Sequence, residues 1–204
     1  YKKSHERSLG KIMNYIIKDN FFEDPDGLRK FALSLKYYTK TNHPQLKKDP
    51  KGIGAFPGYR TNFYDQIDSI FYKNVHHNIL PHVSKLENVK HPSEKYTKFN
   101  LQISFSYTLN GALSFRHVDS IMDDYKVRYG GLVYLHPDPP KKSGTTLYLN
   151  ETTYLENKYN RFVLYNSNIE HEPTDNFGTD INNSRLVLTI FYDMAWQMYK
   201  KMIG

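Results

Sequence analysis

The spacing of apolar residues changes near residue 95, and this change limits the possible folds more than any other sequence feature. Before it, apolar side chains recur at helical intervals, as at Leu28, Phe31 and Leu35. After it, apolar and polar residues alternate, first over residues 101–107. Such alternation is typical of a strand that buries one face. The sequence therefore predicts a helical region followed by a sheet-forming region.

Two helices are predicted in the helical region, residues 1–94. The first begins at Asp24 as N-cap, with Pro25 at the first helical position. The second ends before Pro81 and carries an apolar stripe of Phe63, Ile67, Ile70, Phe71, Val75 and Ile79. The segment between them, residues 40–62, holds so many prolines and glycines that it is predicted to be a loop.

Eight short strands are predicted in the sheet-forming region. They are 101–107, Leu113–His117, Gly131–His136, Thr146–Leu149, Thr152–Leu155, Phe162–Tyr165, Ile169–Glu172 and Arg185–Tyr192. Strands of this number and spacing favour a sandwich or jelly roll. We expect one mainly β domain over residues 1–204. Its core, 95–193, would be a jelly roll (double-stranded β-helix) braced by the helices of residues 1–94, with a C-terminal tail at 194–204.

Composition excludes several classes of protein. The chain has no cysteine, which rules out disulfides, thiolate metal sites and a cysteine nucleophile. A bound metal must therefore use histidine and carboxylate. No apolar run approaches the roughly 18 residues that span a bilayer, so we expect a soluble protein without a membrane partner.

The net charge of +7 invites a nucleic-acid interpretation. The basic residues are scattered, however, in pairs such as Lys47-Lys48 and Lys141-Lys142 beside predicted turns. This distribution favours a solvated surface over a nucleic-acid site. The sequence carries no signal for an oligomeric state.

Two H-x-D motifs offer metal-ligand side chains, one at His117 and Asp119 and one at His136 and Asp138. The spacing points both side chains of a motif to one side of an extended segment. A third ligand must come from a strand that folds back beside the pair. His171 is the candidate, and we favour its pairing with His117 and Asp119 because the second motif lies in a proline-rich turn. Two imidazoles and one carboxylate typify non-haem Fe(II) oxygenases, whose remaining coordination positions serve co-substrate and O₂. Taken singly, each residue has an alternative as a hydrogen-bonded side chain at a strand end.

Arg185 opens the last predicted strand, and alternation places it on one face with Val187, Thr189 and Phe191. If Val187 and Phe191 pack inward, Arg185 is a cation at the mouth of the barrel. A buried cation requires a carboxylate partner. A dicarboxylate that chelates the metal and pairs with Arg185 would meet both needs. The alternative is an arginine at a strand end that faces solvent.

Several motifs together resemble a known family. They are Tyr107-x-x-Asn110-Gly111, Arg116-His117-Val118-Asp119, Val133-Tyr134-Leu135 and the strand 185–193. Their combination resembles the catalytic core of Fe(II)/2-oxoglutarate-dependent oxygenases, closest in motif to the prolyl-hydroxylase branch. Four local segments are also similar to oxygenase-like proteins from bacteria and their phages: 19–25, 56–60, 160–162 and 168–171. The resemblance covers about residues 15–193.

The resemblance implies that His117, Asp119 and His171 bind Fe(II) and form the catalytic centre, and that Arg185 pairs with the distal carboxylate of 2-oxoglutarate. It implies a hydroxylase that uses O₂ to convert 2-oxoglutarate into succinate and CO₂ while a substrate C–H is hydroxylated. The substrate, a small molecule or a protein, is not defined by these motifs. Because the similar proteins come from bacteria and their phages, we expect a cytoplasmic location in a bacterium or a phage-infected cell.

Three further roles follow from the resemblance. Tyr134 would hydrogen-bond the distal carboxylate, Tyr107 would reach the chelating end of 2-oxoglutarate, and Thr189 would line the pocket. Core packing is the alternative for each. Val187 departs from the Arg-x-Ser pattern of many relatives, and Tyr134 or Thr189 would have to supply the missing hydroxyl. Substrate would meet the segments 40–62 and 120–129, the latter with Asp123 and Asp124, unless these are plain surface connections.

Three other functions compete. Nucleic-acid demethylases carry a second arginine on the last strand, where this chain has Phe191. A cupin-like isomerase would add ligands, yet Glu170 and Glu172 flank His171 at offsets that point them to the opposite face. A non-catalytic jelly-roll binding or structural module with a vestigial metal site is the principal alternative, and the complete ligand set counts against it.

Overall fold

Two antiparallel sheets form the core of the computed structural model, which describes residues 13–45, 56–64, 69–92, 96–119 and 128–196. The strands are β1 (Tyr15–Lys18), β2 (Tyr59–Arg60), β3 (Tyr96–Thr108), β4 (Tyr129–Tyr134), β5 (Thr145–Tyr148), β6 (Thr152–Leu155), β7 (Phe162–Asn166), β8 (Glu170–Pro173) and β9 (Arg185–Trp196). The larger sheet has the order β1-β7-β4-β9-β3-β2 and the smaller β6-β5-β8. The predicted fold class, a mainly β jelly roll braced by helices, is confirmed.

The larger sheet packs on both faces, and its strands alternate accordingly. In β9, Leu188 and Ile190 join the core beneath the helices, whereas Val187 joins the core between the two sheets. The second core consists of Leu132, Tyr134, Leu147, Leu155, Val163, Tyr165, Ile169 and Val187. The face between the sheets is the one that the candidate site occupies.

Two helices, α1 (Pro25–Leu33) and α2 (Ile70–Glu87), cover the outer face of the larger sheet. The predicted start of α1 is confirmed, because Asp24 accepts a hydrogen bond from the backbone N–H of Gly27 at 2.8 Å. No helix in the described parts of the chain is long and apolar enough to cross a bilayer.

The predicted bounds of the second helix were wrong at both ends. The helix begins after Ser69, whose hydroxyl caps the N–H of Tyr72, and it continues through Pro81. Proline lacks the N–H for a helical hydrogen bond and usually ends or kinks a helix. Here Ile79 and Val83, one turn apart across Pro81, are fully buried against the sheet. Burial on both sides of the proline offsets the missing bond.

The strand predictions failed in three places. Residues 113–117 form no strand, and only His117 makes an isolated bridge, to His171. The short strands β1 and β2 were not predicted, since one lies within an apolar run before a helix and the other within the predicted loop. Both join edges of the larger sheet, β1 against β7 and β2 against β3. The first 94 residues thus contribute strands as well as helices.

Asp19 joins the end of β1 to the start of β7 through an ion pair with Arg161. The Arg161 Nε lies 2.6 Å from Asp19 Oδ1, and Lys158 Nζ lies 2.8 Å from Oδ2. Hydrogen bonding from Arg161 holds the pKa of the Asp19 carboxyl well below its usual range. We expect Asp19→Asn to lower the free energy of unfolding at pH 7 by about 1 kcal/mol, because a partly exposed pair is screened by water.

The pH dependence of that loss follows from the lowered pKa. The stabilisation is complete above the ordinary value of 3.8 and is lost as the pH falls from there toward the folded-state pKa. Urea unfolding of wild type and Asp19→Asn should therefore differ at pH 7 and converge below pH 3.8. Asp138→Asn, at an exposed turn, is the control and should change little at either pH. A difference that persists unchanged at low pH would contradict the assignment.

Candidate metal centre and co-substrate site

Backbone hydrogen bonds bring the two histidines and the aspartate together. His117 and His171 exchange N–H···O=C bonds of 3.0 and 2.8 Å across their isolated bridge. The Asp119 N–H donates to the Ser167 carbonyl at 3.0 Å. The segment that carries His117 and Asp119 is thereby fixed against β8 and the turn before it.

The three side chains converge on one point. Their ligand atoms all lie within 4.8 Å of one another. His171 Nε2 is 3.3 Å from Asp119 Oδ2, and His117 Nε2 is 3.7 Å from Asp119 Oδ1. Neighbouring donors around an ion with bonds of about 2.1 Å lie about 3 to 4 Å apart. The arrangement therefore fits one divalent metal ion.

A hydrogen bond between the ring nitrogen Nδ1 and a backbone carbonyl orients each imidazole. His117 Nδ1 lies 2.9 Å from the Phe115 carbonyl, and His171 Nδ1 lies 2.9 Å from the Ile169 carbonyl. A carbonyl only accepts, so each Nδ1 carries the proton and each Nε2 offers its lone pair in the neutral ring. Burial lowers the pKa of His171, which favours that neutral form, although the charge of Asp119 opposes the shift.

Asp119 is buried, and two residues of the larger sheet shape its surroundings. The Tyr165 hydroxyl donates to Asp119 Oδ2 at 3.4 Å, and burial raises the pKa of Tyr165 well above its usual value, so it remains a donor. Gly130 of β4 leaves room for the carboxylate: a Cβ there would lie 2.3 Å from Oδ2. The Asp119 carboxylate thus fits against β4 only because residue 130 is a glycine.

Arg185 lies between the sheets, as alternation predicts. Its Nε donates to the Ser143 carbonyl at 3.1 Å, and one terminal nitrogen donates to the Gly144 carbonyl at 3.3 Å and to Thr145 Oγ1 at 3.1 Å. The side chain is 6% exposed. No carboxylate of the described residues lies within ion-pairing distance of it. A buried cation held only by neutral acceptors has an unbalanced charge, which fits a site for a carboxylate.

Tyr134 lies beside Arg185. The guanidinium carbon is 5.5 Å from the Tyr134 ring centroid, and the Tyr134 hydroxyl lies 2.8 Å from Thr145 Oγ1. Burial raises the pKa of Tyr134, so the hydroxyl stays protonated. Thr189 shares this face, and its hydroxyl lies 2.8 Å from that of Ser106. Both predicted residues are thus on the face of the sheet that carries Arg185.

Tyr107 does not reach that face, and its predicted place beside the co-substrate is a correction. Thr108 pairs with Arg185 across β3 and β9, so strand alternation points Tyr107 to the other side of the sheet. There Tyr107 stacks on Tyr59, with ring centroids 4.6 Å apart, and contacts Tyr37 edge-on at 5.0 Å. Core packing, the alternative weighed for this tyrosine, is its observed role.

The remaining sequence candidates lie outside the site or outside the described residues. Glu170 pairs with Arg116, and Glu172 accepts from the Tyr148 hydroxyl, so both glutamates face away from His171 as expected. His136, in the second H-x-D motif, instead accepts from the Asp138 N–H at 3.2 Å. Much of both predicted substrate-facing segments, 46–55 and 120–127, lies outside the described residues, Asp123 and Asp124 included.

Sequence reasoning missed the roles of Thr145 and Arg60. Thr145 connects Arg185 with Tyr134, yet a threonine on a short strand gives no signal of this. Arg60 pairs with Ser106 across β2 and β3, which puts it on the face between the sheets. Its signal was an arginine between Phe56 and Phe63, at the end of the segment 40–62 that was predicted to be a loop facing the substrate.

Solved structures with the same fold were found, although no family model and no curated protein matches the chain. A Pseudomonas putida prolyl-4-hydroxylase aligns with a TM-score of 0.56 at 16% identity, over 88% of this chain and 91% of that one. The viral collagen prolyl hydroxylase of Paramecium Bursaria Chlorella virus-1, in its 2-oxoglutarate complex, aligns with a TM-score of 0.57 at 14% identity, over 91% and 97%. HygX of Streptomyces hygroscopicus, with nickel, 2-oxoglutarate and hygromycin B bound, gives 0.57 at 11% identity, over 89% and 83%.

These likenesses establish the class of fold. The chain shares the double-stranded β-helix fold of these solved structures over most of its length. Asp119, which accepts from Tyr165, and the buried Arg185 lie between the two sheets of that fold, and His171 extends from the smaller sheet.

Proposed function

We propose that the protein is an Fe(II)- and 2-oxoglutarate-dependent dioxygenase that hydroxylates a C–H bond of its substrate. The observation that carries the proposal is the convergence of His117, Asp119 and His171 on the face that also buries Arg185. Structures with this fold include one with nickel and 2-oxoglutarate bound and one with 2-oxoglutarate bound. The donor set of two neutral imidazoles and one carboxylate is the one that non-haem Fe(II) takes.

Each residue has a definite task in this proposal. His117, Asp119 and His171 would hold Fe(II) and would leave coordination positions for other ligands. Fe(II) with 2-oxoglutarate supplies the oxidative chemistry that inserts oxygen into a C–H bond. Arg185 binds the distal carboxylate of 2-oxoglutarate and thereby orients its keto-acid end. The carbonyls that hold Arg185 fix its guanidinium before the ligand arrives, which reduces the ordering cost of binding.

Val187 replaces a serine that many oxygenases of this kind carry, and neighbouring hydroxyls compensate. Tyr134 and Thr145 form a hydroxyl pair at 2.8 Å, and Thr145 also contacts Arg185. When a carboxylate binds Arg185, the Tyr134 hydroxyl can donate to it. Val187 contributes an apolar wall that keeps water away from this charge pair and so strengthens it.

An anaerobic titration with Fe(II) and 2-oxoglutarate tests the proposal. We expect the weak visible charge-transfer band of the chelate in wild type. In Arg185→Gln the band should need on the order of 30-fold or more 2-oxoglutarate, because a buried charge pair loses about 2 kcal/mol or more when one partner is removed. Arg29→Gln, which removes an arginine bonded to the carbonyls of Leu135 and Asn182 away from the triad, is the control and should titrate like wild type.

Two results would contradict the proposal in different ways. No band in folded wild-type protein would refute the catalytic function. A band that forms equally well in Arg185→Gln would leave the activity standing but refute the co-substrate role of Arg185. Succinate formation without added substrate separates a working oxygenase from a non-catalytic binding module.

A further inference from the structure

A second arginine, Arg60, lies on the same face of the larger sheet as Arg185. Register places Arg60 opposite Ser106, and Ser106 opposite Val187. Residues directly opposite each other on paired strands point to the same side. Arg60 therefore projects from the edge strand β2 into the face between the sheets, although the sequence placed it in a loop.

Aromatic rings surround the Arg60 guanidinium. Its central carbon lies 4.4 Å from the Phe56 ring centroid, 5.8 Å from that of Phe63 and 6.0 Å from that of Phe191. The faces of such rings attract a cation but cannot accept its N–H hydrogens as an oxygen does. The rings hold the guanidinium in place and leave its donors available.

The guanidinium of Arg60 has no hydrogen-bond acceptor among the described residues. Its Nε is closed off from solvent without a hydrogen bond, and no carboxylate there lies within ion-pairing distance of the guanidinium. Burial lowers the pKa of Arg60 to about 10, and the charge of Asp119 opposes that shift from a distance. His43, whose ring contacts Phe56 and Phe63, has its pKa lowered by burial, which favours the neutral ring and adds no second positive charge beside Arg60.

The two arginines differ in how they are held. Carbonyl oxygens satisfy the Nε and one terminal nitrogen of Arg185, whereas among the described residues the Arg60 guanidinium contacts only aromatic rings. They also occupy different parts of the face. Register places Arg60 level with Val187, two positions along β9 from Arg185, and its guanidinium extends to Phe191, four positions farther from Arg185. One small dicarboxylate bound at Arg185 and the triad would leave the Arg60 charge unbalanced.

We propose that Arg60 is the substrate-binding cation of the site and takes an oxyanion, the carboxylate or phosphate group of the substrate. This inference rests on the proposed function, since it assigns the co-substrate to Arg185 and the substrate to Arg60. The Nε and one terminal nitrogen form a side-on fork that matches two oxygens of either group. The aromatic rings beside the fork exclude water and strengthen the pairing.

Carbon-13 NMR of the arginine Cζ atoms tests the inference without any turnover. Protein labelled at these carbons is loaded with Zn(II) and 2-oxoglutarate, and the resonances of Arg60 and Arg185 are assigned with Arg60→Lys and Arg185→Lys. Sodium acetate and inorganic phosphate are then titrated in separate samples at constant ionic strength. We expect a saturable shift of the Arg60 resonance with at least one of them, acetate indicating a carboxylate site and phosphate a phosphate site. The Arg29 resonance is the internal control and should not move.

The outcomes separate this inference from the proposed function. If 2-oxoglutarate shifts Arg185 and neither anion shifts Arg60 saturably, the substrate role of Arg60 is refuted while the co-substrate site stands. If 2-oxoglutarate itself shifts Arg60 as strongly as Arg185, Arg60 belongs to the co-substrate site and the inference is again overturned. If 2-oxoglutarate leaves Arg185 unmoved, the proposed co-substrate site fails, and with it the assignment of the oxyanion to a substrate.

Discussion

His117→Ala is expected to lower the affinity for Fe(II) or Mn(II) on the order of 100-fold or more. The side chain is one of the three proposed metal ligands among the described residues, and its Nε2 is oriented by the hydrogen bond of Nδ1 to the Phe115 carbonyl. Loss of a residue that merely orients a ligand typically costs about 10-fold to 100-fold in metal affinity, so loss of the ligand should cost at least as much. His117 is half-exposed, and its removal should leave the fold intact.

His136→Ala is a closely matched control for that measurement. Both histidines are half-buried, both begin an H-x-D motif, and both rings lie 5.0 Å from a phenylalanine ring, Phe115 for one and Phe177 for the other. Free Mn(II) is followed by electron paramagnetic resonance during titration of each variant. Weakened binding in His117→Ala alone is the expected result. Equal binding in wild type and His117→Ala would place the metal elsewhere.

The sequence predicted the sheet-forming region well because its signals are local. Alternation over four or more residues located most strands, and Asp24 with Pro25 located the start of the first helix. The three candidate ligands also came from sequence, since the H-x-D pair outside the proline-rich turn was matched with a later histidine on a strand that folds back beside it. Their convergence in the structure depends on backbone pairing between His117 and His171.

The errors arose where tertiary contacts override local rules. Local rules predict that a helix ends before Pro81, but burial of Ile79 and Val83 against the sheet stabilises the helix on both sides of the proline. The segment 113–117 has strand-like composition, yet Leu113 is 80% exposed, and exposed apolar residues gain nothing from pairing there. Neither outcome is visible without knowing which surface each side chain meets.

Features that depend on strand register were the hardest to predict from the sequence. Tyr107 was expected beside the co-substrate, but a one-residue offset decides the face, and pairing of Thr108 with Arg185 turns Tyr107 away. Arg60 was overlooked because β2 is only two residues long and owes its existence to pairing with β3. Register is set across the sheet by residues far apart in the chain.

The two faces of the larger sheet carry different side chains: one is almost entirely apolar, and the other combines apolar residues with the polar residues of the candidate site. The face beneath α2 is lined by apolar residues such as Leu101, Ile103 and Leu188, all fully buried. The face between the sheets carries hydroxyls and charges, including Ser104, whose buried Oγ has no hydrogen-bond partner among the described residues. An unsatisfied buried polar group costs stability, and its presence beside the candidate site fits a place where a ligand supplies the missing partner.

This division predicts that neighbouring glycines of β4 respond differently to the same substitution. Gly130→Ala would put a Cβ 2.3 Å from Asp119 Oδ2 and 2.9 Å from the Tyr165 ring. Both are side-chain atoms, so the carboxylate can move aside without displacing backbone. We expect the fold to persist and metal affinity to fall by about 10-fold to 100-fold, the size of effect seen when the support of a ligand is lost. Mn(II) titration and thermal unfolding of the metal-free protein measure the two effects separately.

Gly131→Ala is the matched control, one position along the strand and on the opposite face. Its Cβ would meet the Val163 carbonyl oxygen at 2.5 Å, and backbone of a central strand cannot yield as a carboxylate can. Overpacking of this kind costs about 1 to 3 kcal/mol, so the unfolding temperature should fall while the Mn(II) affinity of the folded protein is kept. The reverse pattern, with metal binding lost in Gly131→Ala and kept in Gly130→Ala, would show that the Asp119 carboxylate does not lie above Gly130 and that the proposed ligand geometry is wrong.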